Sequence, residues 1–168
     1  DKNQQTTISL TAADQILLAS HIENRADGNI EVTAGSEIFQ DSAVRVLTGG
    51  SGSISITAGL GQQTSFPGSF VMNDGAIISN QMGQIRLVAG ADVALGEVRS
   101  QFGNLYVEAG SNNAFGSIVD NSVAENPNLK TSGILTVLVL SVAAALATPS
   151  ASRLARLRTG ALYLFAAL

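Results

Sequence analysis

The sequence predicts an all-β fold, a parallel β-helix (β-solenoid) of about seven coils that takes in residues 1–168 as a single domain. Three observations carry that reading. A short phrase recurs, as GNIEVTAG at 28–35, GSISITAG at 52–59, GQIRLVAG at 83–90 and GNLYVEAG at 103–110. Inside each phrase apolar residues alternate with others, which is the period of a strand rather than a helix. The composition agrees: 45% of the 168 residues are hydrophobic, enough for a core, while only 13% are charged and 17 are Gly, a bias toward short strands and tight turns.

In chain order, the first repeat starts at Thr6 and the later ones open on Gly28, Gly52, Gly83, Gly103, Gly133 and Gly160. The intervals run from 20 residues (83 to 103) to 31 (52 to 83), the window of solenoid repeats in which no coil can bury its apolar face alone. The alternating pairs are Ile8 and Leu10, Ile30 and Val32, Ile54 and Ile56, Ile85 and Leu87, Leu105 and Val107, Leu135 and Val137, and Leu162 and Leu164, which predict an inward face. Between them Ser9, Glu31, Ser55, Arg86, Tyr106, Thr136 and Tyr163 form an outward column.

Ala34-Gly35, Ala58-Gly59, Ala89-Gly90 and Ala109-Gly110 close four of these strands. A small side chain suits a narrow inner corner, and each Gly is expected to take the positive φ of a sharp change of direction. A second strand is expected in DQILLAS, SEIFQDS and ADVALGE, and a third in SAVRVLT and GEVRSQF. The longer intervals predict insertions at coil corners, at 60–69 (LGQQTSFPGS) and 111–121, with Phe66-Pro67-Gly68 a turn. In the last third, NPNLKTSGILTV (126–137) and ARLRTGALYL (155–164) share a Leu, a basic residue, Thr, Gly and an alternating strand. The apolar run 134–148 therefore reads as strand, corner and strand of a buried coil, and it is shorter than the roughly 20 residues a membrane-spanning helix needs.

These phrases, with the DQILLAS-like and NLKTSGILTV-like segments that follow them, resemble the repeat region of filamentous haemagglutinin-like large exoproteins. The resemblance runs from about Thr6 to the end of the chain. It implies a right-handed parallel β-helix and a bacterial surface adhesin exported by two-partner secretion, hence an extracellular or cell-surface location. Asn126-Pro127-Asn128-Leu129 also looks like a motif of that family's secretion domain, but the companion NPNG is missing and the position is late, so it reads as a turn.

The residues offer little chemistry. With no Cys, thiol catalysis, disulfides and Cys-ligated metals are excluded. His21 is the only histidine, and no nucleophile elbow accompanies it, so a surface role is expected. Asp14, Asp41, Asp74, Asp92 and Asp120 fall mainly at predicted corners, where Asp bonds to nearby backbone, and no carboxylate pair recurs at a spacing suited to glycan cleavage. Gly49-Gly50-Ser51-Gly52-Ser53-Ile54 has Ile where a calcium nonapeptide needs Asp, and no Gly-rich run leads into Lys-Ser or Lys-Thr as in a phosphate loop. Arg153, Arg156 and Arg158 make a poor nucleic-acid footprint. The expectation is a chain that is not an enzyme, with no catalytic, cofactor or metal residues, no nucleic-acid partner and no membrane span.

All 13 acidic residues lie between Asp1 and Glu125, whereas Lys130, Arg153, Arg156 and Arg158 follow without acids. Opposite charge at the two ends, and a last strand unshielded by a polar cap, give two expectations: the chain is a piece of a longer exoprotein, or its copies stack head to tail into filaments. A structural fibre or shaft segment is the leading functional reading. The alternative is an adhesin that contacts host glycan or protein through coil faces or the insertions at 60–69 and 111–121.

Overall fold

The computed structural model describes residues 6–59, 68–111, 116–122 and 128–139, together with the backbone of 161–165. The chain is a parallel β-helix, and its described residues form strands and turns without a helix. Each complete coil contributes one strand to each of three sheets. Sheet A takes β1 (Thr7–Ala12), β4 (Asn29–Ala34), β7 (Ile54–Ala58), β10 (Ile85–Ala89), β13 (Leu105–Ala109), β16 (Leu135–Val139) and β17 (Ala161–Phe165). Sheet B takes β2 (Ile16–Leu18), β5 (Ile38–Gln40), β8 (Phe70–Met72), β11 (Val93–Leu95) and β14 (Ile118–Asp120). Sheet C takes β3 (Ile22–Asn24), β6 (Arg45–Thr48), β9 (Ile77–Asn80), β12 (Glu97–Ser100) and β15 (Leu129–Thr131).

Register follows the sequence phrases. Ile8, Ile30, Ile54, Ile85, Leu105 and Leu135 stack as one inward column, with Leu10, Val32, Ile56, Leu87, Val107 and Val137 as the next. In β4, β7, β10 and β13 these side chains are buried, and with Phe70, Met72, Ile78 and Val98 they form one continuous core. Ala34, Ala58, Ala89 and Ala109 close the column at the inner corner, each with no exposed surface. The outward column Ser9, Glu31, Ser55, Arg86, Tyr106 and Thr136 is in register as the alternation predicts.

The opening glycines have a steric reason. A Cβ on Gly52 would lie 2.3 Å from the Gly28 carbonyl oxygen, one on Gly83 2.1 Å from that of Gly52, and one on Gly103 1.7 Å from that of Gly83. Adjacent coils touch backbone to backbone at this corner, so no larger residue fits. The Ala-Gly corners are less uniform than expected: Gly59 and Gly110 adopt positive φ (73° and 79°), but Gly35 and Gly90 do not. Gly35 is needed for space instead, since its Cβ would fall 2.0 Å from the Ala13 carbonyl oxygen.

Two other expectations are corrected. The insertions are shorter at their C-terminal ends: Gly68 packs on Gly59 and Ser36, and Gly116 on Gly110 and Ala91, so the stack resumes at those glycines and Ile118–Asp120 is a sheet strand. Phe66 and Pro67, with the rest of 60–67 and 112–115, lie outside the described residues. The last repeat also departs from its phrase. β17 pairs with β16 antiparallel, aligning Tyr163 with Val137 and Leu164 with Thr136, so the parallel stack comprises five complete coils and β16. Alternation specifies a strand but neither its direction nor its register. Of the run 134–148, β16 is a half-buried strand, and 140–148 lies outside the described residues, as does 123–127 with its Asn126-Pro127. No helix among the described residues is long and apolar enough to cross a membrane.

Candidate functional site

Because side chains alternate along sheet C, one set fills the core and the other faces out, stacking coil upon coil. The outward set is Glu23, Leu47, Ser79, Arg99 and Lys130 in successive coils. At the next corner, Gly49, Gln81, Gln101 and Ser132 follow the same path. Between these rows runs a shallow groove of about 660 Å³ that spans four coils, from Thr48 to Ser132. Met82 and Phe102, both more than half exposed, follow Gln81 and Gln101 in the chain.

The charged residues of the groove lining are Arg99 and Lys130, and both reach out to Glu97, which lies outside that lining. Glu97 Oε1 accepts from Lys130 Nζ at 3.0 Å and from Arg99 Nε, so two cations share one carboxylate oxygen. Burial pushes the Glu97 carboxyl upward, but the hydrogen bonds and charges of Arg99 and Lys130 together outweigh it and hold Glu97 below the usual carboxylate range. The two cations are more accessible than the anion: side-chain exposure is 51% for Arg99 and 36% for Lys130 against 22% for Glu97.

Beneath the groove lies a polar ladder that the sequence reading did not foresee. Asn24, Thr48, Asn80, Ser100 and Thr131 end the five strands of sheet C, and the first four are buried. Their side chains bind the backbone of the corner that leads to the next opening glycine. Asn24 Nδ2 donates to Asn29 O (3.3 Å) and also back to Thr6 O (3.0 Å), Thr48 Oγ1 donates to Gly52 O (2.9 Å) and Asn80 Nδ2 to Gly83 O (2.6 Å), while Ser100 Oγ accepts from Gly103 N (2.9 Å). Buried carbonyls and amides at a turn are costly unless paired, so this ladder fixes the corner. One acceptor is left over, since the buried Asn80 Oδ1 has no partner.

A second polar cluster sits on the outer face of sheet A. Arg86 lies over the Tyr106 ring at 5.2 Å, and the Tyr106 hydroxyl donates to Glu108 Oε2 at 2.7 Å. Burial and the Glu108 carboxylate together raise the Tyr106 pKa. Each member is paired within the cluster, which ties adjacent coils together.

His21 is exposed, and its Nδ1 accepts from Arg45 N at 3.1 Å across one coil. Asp92 behaves as a corner lock, its Oδ1 accepting from Ser117 N (2.8 Å) and Ser117 Oγ (2.7 Å). Asp120 is on β14 rather than at a corner, and hydrogen bonds from Asn128 and Ser122 hold its carboxyl below its ordinary value. No group of three or more His, Cys, Asp and Glu side chains among the described residues is arranged to hold a metal ion. No family model matches the chain, and neither a curated protein nor a solved structure matches it.

Proposed function

We propose that the chain is a structural segment, a stiff solenoid shaft within an extracellular fibre at a bacterial surface. The observation that supports this most is the repetition of packing. The inner aliphatic pairs, the corner alanines and the polar ladder each recur at one level per coil, in register through five complete coils, and glycine opens the last four of them. A scaffold of this kind spreads its stability over many equivalent contacts and adds about 4.8 Å of length per coil. The surface location rests on the exoprotein resemblance of the repeat phrases.

End-on growth of filaments belongs to the same proposal. It would have to start on β17, because that strand occupies the free edge of β16. Negative-stain electron microscopy of the purified chain over a concentration series tests both parts. Thin rods of constant width support the shaft, and lengthening with concentration supports end-on growth. Compact particles at every concentration would refute the shaft, and rods of fixed length would refute end-on growth alone.

A further inference from the structure

We propose that the groove on the outer face of sheet C is a binding site for an acidic oligosaccharide, one bearing carboxylates, laid along the solenoid axis. This goes beyond the shaft reading and does not depend on it. Four observations point there. The groove spans four coils, about 14 Å from the first level to the last, the reach of a short linear chain rather than a compact metabolite. Its positive centre is real although the whole chain carries a net charge of −4, because Arg99 and Lys130 share the single carboxylate of Glu97.

Donor capacity is also left over. Arg99 binds Glu97 through Nε, so its terminal amino groups remain available to an incoming carboxylate, and Lys130 uses one of its three protons. Finally, the neutral lining suits hydroxyl groups. Ser79, Gln81 and Gln101 can each donate and accept, as a polyhydroxylated ligand requires, while Ser132 Oγ, whose proton goes to the Gln101 carbonyl, can still accept.

A peptide fits less well. The backbone groups of β9 and β12 are engaged with neighbouring coils on both sides, so sheet C has no free edge here to pair with a peptide strand.

The test is calorimetric titration of the full chain at low salt with an oligouronate of about six sugars, against a neutral oligosaccharide of equal length, a sulfated one and a Glu-rich peptide. The oligouronate should bind, weaken with added salt, and lose at least tenfold in affinity in Arg99→Gln/Lys130→Gln. Glu97→Gln should act in the opposite sense and tighten binding severalfold, since it removes the competing anion while keeping a hydrogen-bonding side chain. That opposite sign separates a groove site from general unfolding. Arg25→Gln, a fully exposed cation on another coil, serves as the unaffected control. Preference for the sulfated ligand would overturn the carboxylate assignment but keep the anionic groove. No binding, equal binding of the neutral sugar or the Glu-rich peptide, or indifference to the Arg99 and Lys130 changes would overturn the proposal.

Discussion

Replacing Gly103 by Ala probes the contact that holds successive coils together. A Cβ there would lie 1.7 Å from the Gly83 carbonyl oxygen and 2.7 Å from Ser100 Oγ. The first distance is 1.3 Å short of the 3.0 Å below which Cβ contacts essentially never occur, and the obstacle is backbone, so the two coils must separate at this corner. Separation strains the packing by about 1–3 kcal/mol. It also loosens two hydrogen bonds, Gly103 N to Ser100 Oγ and Thr131 Oγ1 to Gly103 O, at about 1 kcal/mol each. The expected total is about 3–5 kcal/mol, or a fall of about 2 M in the urea midpoint. Gly75→Ala is the comparison. Gly75 has φ +78° but open surroundings, with Ala43 N nearest at 3.6 Å, so only the backbone penalty of about 1–2 kcal/mol applies. Urea unfolding followed by circular dichroism measures both. If Gly103→Ala costs no more than Gly75→Ala, the close-contact column does not hold the stack.

Three further outcomes follow from the same structure. Ala43 is the non-glycine residue with positive φ (59°) among those described, so Ala43→Gly should stabilise the chain by about 0.5–1 kcal/mol, read as a rise in melting temperature. Ile56→Ala should cost about 2–5 kcal/mol while its neighbour Ser55→Ala stays within about 0.5 kcal/mol in denaturant titration, because Ile56 is fully buried and Ser55 belongs to the outward column. Glu97, held below the usual carboxylate range, adds stability that is present above its unfolded pKa of about 4.3 and is lost as pH falls through its lower folded value. Stability profiles of the parent chain and Glu97→Gln should therefore converge below pH about 4, and a constant gap across that window would argue against the Arg99–Glu97–Lys130 pairing.

The sheet A strands and their facing were legible because a period of two is local: Ile54, Ser55 and Ile56 announce inside, outside and inside without reference to any other coil. The resumption of the stack after each insertion was also written in the sequence, as Gly35-Ser36, Gly68-Ser69 and Gly116-Ser117, each followed within three residues by an apolar strand start. Differing insertion lengths mask that signal in the linear sequence. The polar ladder was hidden for a related reason, since Asn24, Asn80 and Thr131 precede their opening glycines by four, three and two residues. The groove was not legible at all. Ser79, Arg99 and Lys130 are separated by 20 and 31 residues and become neighbours only when coils stack. The direction of β17 was equally silent, because an alternating strand reads the same from either end.

Coils that stack as a shaft are interchangeable units, and duplicating one tests that directly. Residues 83–102 run from one opening glycine to the residue before the next, contain β10, β11 and β12, and lie wholly among the described residues. Inserting three further copies between Phe102 and Gly103 should give a folded rod about 14 Å longer with unchanged cross-section, measured by small-angle X-ray scattering. A particle that broadens instead of lengthening, or a chain that no longer folds, would contradict the stacked-shaft account.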